Sequence, residues 1–110
     1  MAHAEYVPFP SHDQLEVVRE AVRYLARSQP HVLFIHVADP DDAGHAGGWM
    51  SDSYMAAVRK IPEAIGIGLD VLSRMYAVEE SLVIVTSDHG GHGHIHGTAD
   101  PRDMTIPWLA

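Results

Sequence analysis

Two stretches of this 110-residue chain gather carboxylates, imidazoles and glycines in patterns suited to binding divalent metal ions. The first, residues 38–48, reads A-D-P-D-D-A-G-H-A-G-G, and the second, residues 82–97, reads L-V-I-V-T-S-D-H-G-G-H-G-H-I-H-G. Asp41 and His45 stand four positions apart, so one turn of irregular or helical backbone lets both reach a single ion. Asp88 and His89 fall where an apolar run ends. A carboxylate there must be solvated, paired or coordinated, because an unpaired buried charge is costly. Glycines at 90, 91, 93 and 97 let the loop wrap closely around an ion or an anion. His92, His94 and His96 alternate with other residues and fit a solvated loop as well as a ligand role. Asp39 and Asp42 suit a turn that caps the following helix. The glycines lack the spacing of a dinucleotide fingerprint, and no G-x-S-x-G nucleophile elbow occurs.

These residues need a scaffold. Residues 82–86 are apolar and β-branched without alternation, as in a strand buried on both faces of a parallel sheet, and residues 31–37 (H-V-L-F-I-H-V) repeat that character. His31 and His36 are read as structural. Between the two runs, residues 51–77 repeat Tyr54, Val58, Ile61, Ile65, Leu69, Leu72 and Tyr76 at spacings of three and four, predicting a helix capped by Ser51 or Ser53. Pro62 predicts a kink or break within it, and Gly66 and Gly68 loosen it further. Strand, helix and strand then form a right-handed crossover whose two polar loops lie side by side. Upstream, Ser11 and Gln14 form a candidate capping box. Leu15, Val18, Val22 and Leu25 define one face of a helix that ends near Ser28 and packs on a sheet, with Glu16, Glu20, Arg23 and Arg27 solvated on its other faces.

A sheet of two parallel strands exposes both edges. Residues 106–109 add an apolar segment that ends at Ala110. The expected organisation of residues 1–110 is therefore one piece of a single domain, truncated at both ends, within an α/β fold with a partial doubly wound parallel sheet.

Fifteen acidic residues against seven lysines and arginines give a formal charge of −8, which disfavours nucleic-acid polymers and anionic membrane surfaces. Without cysteine, strong metal ligands are limited to nitrogen and oxygen donors. No stretch approaches the length of a membrane span, and residues 1–10 lack a basic segment followed by an apolar run, which leaves the compartment open.

P-D-D-A-G-H at 40–45, V-T-S-D-H-G-G-H-G at 85–93 and H-G-T-A-D-P-R-D-M-T-I-P-W at 96–108 together resemble the alkaline phosphatase superfamily, and within it the type I phosphodiesterase and nucleotide pyrophosphatase branch. The resemblance implies a three-layer α/β/α fold and a site for two divalent metal ions, zinc or manganese. Asp41 and His45 would ligate the first ion, and Asp88 and His89 the second. His96 would ligate or support the first. It implies hydrolysis of small-molecule phosphoric esters, one ion activating the nucleophile and the other stabilising charge on the transferred phosphoryl group. The family's threonine or serine nucleophile and a further aspartate ligand lie upstream of the first motif, and nothing in residues 1–29 matches them. The catalytic nucleophile is therefore expected to be absent from this chain, which alone would turn over weakly or not at all. A sulfatase also carries S-D-H-G, and a noncatalytic histidine-rich metal binder is the reading from a different class.

Overall fold

The computed structural model describes residues 9, 11, 13–75 and 78–110. In chain order these form α1 (Gln14–Ser28), α2 (Asp39–Gly47), α3 (Asp52–Val58), α4 (Ile61–Arg74), a 3-10 turn (Val78–Glu80), β1 (Val85–Thr86), α5 (Pro101–Met104) and β2 (Trp108–Leu109).

α1 begins two residues later than the expected box, with Asp13 rather than Ser11 at its N-cap position. The Asp13 side chain accepts from the backbone N–H groups of Leu15 and Glu16. Ser11 instead donates its hydroxyl to Glu16, at 2.7 Å. Val18 and Val22 are buried, as their spacing predicts, but they pack on α4, against Ala64, with Leu15, Val37, Ile67 and Val71 around them. Helix on helix replaces the expected helix on sheet. At the head of α1, Gln14 is wholly buried, and its side-chain amide donates to the Ala57 carbonyl at 2.9 Å, tying α1 to α3.

The expected helix over 51–77 divides into α3 and α4 at Arg59 and Lys60. Ser51 caps α3, accepting from the Tyr54 N–H. Pro62 sits in the first turn of α4, where its missing N–H needs no intrahelical partner. The break thus falls just before the proline, and α4 continues through Gly66 and Gly68. Its core-facing stripe is the buried Ala64 with the half-buried Ile67 and Val71; Leu69, on the expected stripe, is exposed. Tyr76 lies outside the described residues.

The parallel strand pair is not formed among the described residues. Residues 32–38 carry no strand assignment, and Val32 and Phe34 are 85% and 84% exposed. β-branched residues favour an extended chain, but a strand exists only when a neighbour accepts its backbone hydrogen bonds. β1 finds one in β2, antiparallel, with Val85 opposite Leu109 and Thr86 opposite Trp108. What is observed is an α-rich fragment with one two-stranded antiparallel sheet. No helix among the described residues is long and apolar enough to cross a membrane.

Candidate metal centre

α2 turns the first motif into a short helix. Asp39, Asp41 and Asp42 occupy its first turn, where carboxylates oppose the positive end of the helix, and His45 lies one turn on, in its last turn. Asp41 and His45 therefore share a face, with Oδ1 and Nε2 3.5 Å apart.

The second motif meets them through direct loop contacts. His45 Nδ1 donates to the His94 carbonyl at 2.9 Å, and His94 Nδ1 donates to the His45 carbonyl at 3.0 Å. The Trp49 N–H adds a third bond, to the Gly93 carbonyl at 2.7 Å. Between His92 and Ile95 two reciprocal 3.0 Å backbone bonds close a tight turn. This turn sends His96 back toward His89, and the two rings stack with centroids 3.7 Å apart and planes 9° from parallel.

Three imidazoles thus converge on one carboxylate oxygen. Asp41 Oδ1 lies 3.5 Å from His45 Nε2, 3.7 Å from His89 Nε2 and 3.4 Å from His96 Nε2. The Nε2 atoms of His45 and His96 are 3.1 Å apart. Asp41 Oδ1 is buried yet accepts no hydrogen bond. Asp41, His45 and His96 each offer a ligand atom close enough to share one ion.

Two of the rings are oriented by their far nitrogens. A carbonyl oxygen only accepts, so the His45 contact to His94 puts the proton on Nδ1, and the same holds for His89, whose Nδ1 lies 2.7 Å from the Gly90 carbonyl. In the neutral ring Nε2 then presents its lone pair to the cluster. Trp49 packs edge-on against both His45 and His96. A Cβ on Gly91 would stand 2.1 Å from its ring, so glycine there makes room for the indole.

Of the five residues singled out as metal ligands, the fold brings four together: Asp41, His45, His89 and His96. Asp88 stays at the rim, 71% exposed in its side chain and 3.6 Å from His89 Nε2. His92 turns away from the cluster to Asp103, and His94 spends its Nδ1 on the loop-to-loop bond.

Asp103, inside the 96–108 motif, and Trp49 were given no role from the sequence. Asp103 is 2% exposed. Its Oδ1 accepts from His92 Nδ1 at 2.7 Å, and its Oδ2 accepts from the Thr98 N–H at 2.9 Å and the Thr98 hydroxyl at 2.7 Å. Its carbonyl accepts the Gly90 N–H at 2.8 Å. The legible signal was D-P-R, an N-cap aspartate followed by proline: Asp100 caps α5 and holds Arg102 in a two-pronged ion pair. That pair keeps the Asp100 carboxyl well below the usual carboxylate range.

The Thr98 hydroxyl, and after it the His92 ring, lower the Asp103 pKa from 3.8 to about 2. A carboxyl that is more acidic folded than unfolded stabilises the fold above its unfolded pKa and loses that contribution as pH falls through its folded value. The stability difference between wild type and Asp103→Asn should accordingly be constant above about pH 4 and shrink toward about pH 2. Urea unfolding followed by circular dichroism across that window measures it. A difference that persists unchanged at pH 2 would refute the assignment.

Similarity to known proteins points the same way as the motifs. The chain is 30% identical over 102 residues to GPI ethanolamine phosphate transferase 1 of Saccharomyces cerevisiae, covering 89% of this chain and 11% of that protein. It is 33% identical over 93 residues to the 2,3-bisphosphoglycerate-independent phosphoglycerate mutase of Haloquadratum walsbyi, covering 84% and 17%. It is 34% identical over 80 residues to the steryl-sulfatase of Mus musculus, covering 66% and 13%. This chain therefore spans between 11% and 17% of the length of these relatives. No solved structure matches it. The three relatives share one class, the alkaline phosphatase superfamily. Within that class the chain belongs to the type I phosphodiesterase / nucleotide pyrophosphatase family, whose model matches residues 4–98.

Proposed function

We propose that this chain carries metal-binding residues of a metal-dependent phosphoric ester hydrolase of the phosphodiesterase or nucleotide pyrophosphatase type. The observation behind the reading is Asp41 Oδ1, a buried oxygen without a hydrogen-bond donor, ringed by three imidazole nitrogens. Zinc held by nitrogen and oxygen at about 2.0–2.2 Å in a tetrahedron sets its ligands about 3.3 Å apart. The separations among Asp41, His45 and His96, 3.1, 3.4 and 3.5 Å, suit that spacing. Asp41, His45 and His96 would hold one ion, and His89 with Asp88 a second. Zinc or manganese there would supply Lewis-acid stabilisation of charge on the phosphoryl group and assist ionisation of the attacking group.

The chain's own contribution is orientation and charge. Asp41 supplies the anion, and the backbone carbonyls of His94 and Gly90 hold two rings with Nε2 toward it. Beside the cluster lies a cleft of ≈ 400 Å³, lined by Asp88, His89, Gly97, Thr98, Asp103, Met104 and Ile106. Its mixed lining suits an ester whose phosphoryl end lies toward His89 and the metal ligands while an apolar portion meets Met104 and Ile106. No nucleophile is assigned. Thr86, within the second motif, donates its hydroxyl to the Pro107 carbonyl at 2.8 Å, and Ser11 is engaged with Glu16. Weak turnover by the chain alone is expected.

Titration calorimetry with zinc and manganese, alongside hydrolysis of a nitrophenyl phosphodiester and a nitrophenyl sulfate, tests the reading. Expected are metal binding that requires Asp41 and any residual turnover confined to the phosphodiester. Turnover of the sulfate alone would favour the sulfatase reading. Metal binding that survives Asp41→Ala but vanishes with His92 and His94 would leave a histidine-rich metal binder.

A further inference from the structure

Four hydrogen bonds of the second loop end on one residue of α5. Asp103 holds Gly90 through its carbonyl, and His92 and Thr98 through its carboxylate. These anchor points bracket the two stacked rings: Gly90 follows His89 directly, and Thr98 lies two residues beyond His96. None of the four bonds goes to His89 or His96. α5 is itself fixed, since the Asp100 carboxylate caps it through the Arg102 N–H and also clamps the Arg102 guanidinium.

We propose that Asp103 is the positioning residue of this site, setting the separation of the His89 and His96 imidazoles by gripping the loop on both sides of them. The inference rests on the reading of Asp41, His45, His89 and His96 as metal ligands. Geometry favours this role over a general stabilising one. A buried carboxylate that served only packing would need donors from anywhere nearby. The donors to Asp103 all come from residues 90–98, the segment whose turn brings His96 onto His89. Releasing the Thr98 end would let His96 swing from the stack while Gly90 still held His89. The distance from His96 Nε2 to Asp41 Oδ1, now 3.4 Å, would no longer be fixed.

The test uses the full 110-residue chain as wild type, Asp41→Ala, Asp103→Ala, Asp103→Asn and Thr98→Val. Zinc affinity is measured by competition with a chromogenic chelator, and the visible spectrum of the cobalt-loaded chain reports ligand geometry. Groups that orient metal ligands typically contribute about 10- to 100-fold in affinity, and a loss of that size is expected for Asp103→Ala, with shifted cobalt bands in the folded fraction. Asp103→Asn keeps the shape and one oxygen for Thr98, and should recover most of the affinity. Thr98→Val removes one donor and should move both readouts the same way by less. A purely stabilising role would lower the melting temperature and leave the cobalt spectrum of folded chain unchanged. That result in Asp103→Ala, or in Thr98→Val if the alanine variant does not fold, overturns the proposal. If Asp41→Ala abolishes binding while the Asp103 and Thr98 variants bind as wild type, the proposal alone fails. If Asp41→Ala binds as wild type, the ligand reading fails and the proposal falls with it.

Discussion

Asp41→Ala should lower zinc affinity by more than about 100-fold, because even groups that merely orient a ligand contribute about 10- to 100-fold. Asp41 is the one anion at the centre of the cluster, with Oδ1 within 3.7 Å of three imidazole nitrogens. Its removal leaves the imidazoles of His45 and His96 to hold the first dication without an anionic ligand. Asp88→Ala is the contrasting variant. That side chain is mostly exposed and approaches the cluster only through His89, at 3.6 Å. Its loss should change affinity for the first ion by less than about tenfold, a difference of about 1.4 kcal/mol. Chelator competition on both variants decides the matter, and equal losses would contradict the convergence on Asp41.

Gly90→Ala is expected to be the most damaging single methyl group in the loop. A Cβ there would lie 2.0 Å from the Arg102 carbonyl oxygen and 3.0 Å from that of Thr105. Both are backbone atoms of the α5 segment, so relief requires moving α5 rather than turning a side chain. Overpacking of this kind costs about 1–3 kcal/mol, while the reduced freedom of alanine in the unfolded chain returns about 0.4–1 kcal/mol. The net loss should be about 1.3 kcal/mol, about 2 less about 0.7. Gly91→Ala meets the Trp49 ring instead, which can tilt, and should cost less. Urea denaturation of the pair measures the difference. A Gly90→Ala chain as stable as wild type would mean that α5 does not dock against the loop as described.

Local chemistry was the legible part of this sequence. The four-residue spacing of Asp41 and His45 survives because it is a property of one helical turn, and Pro62 marks a break because its ring is incompatible with a helix interior wherever the chain goes. Tertiary choices were less legible. α4 carries apolar residues on more than one side, and only the presence of α1 selects Ala64, Ile67 and Val71 over the stripe containing Leu69. The run around Val32 and Phe34 has strand character, but pairing depends on a neighbour that local pattern does not specify. The role of Asp103 was hidden for a related reason: it lies in the 96–108 motif, but its meaning comes from bonds to residues 90, 92 and 98 that local spacing does not predict. His96 and Asp88 exchange the weights that motif spacing suggests, since the tight turn at His92 to Ile95 returns one to the cluster and the end of the apolar run leaves the other in solvent.

The side-by-side placement of the two loops has a consequence for the chain as a polymer. His45 and His96 are 51 positions apart, and their Nε2 atoms nearly touch. An ion shared between them would act as a reversible cross-link, closing a ring of chain much as a disulfide does in a protein that has cysteines. This chain has none. Closing a long ring removes many conformations from the unfolded chain, while the entropic cost of the closure grows only slowly with its length. If these residues hold an ion as proposed, they would also act as a staple, and the melting temperature would become a readout of free zinc.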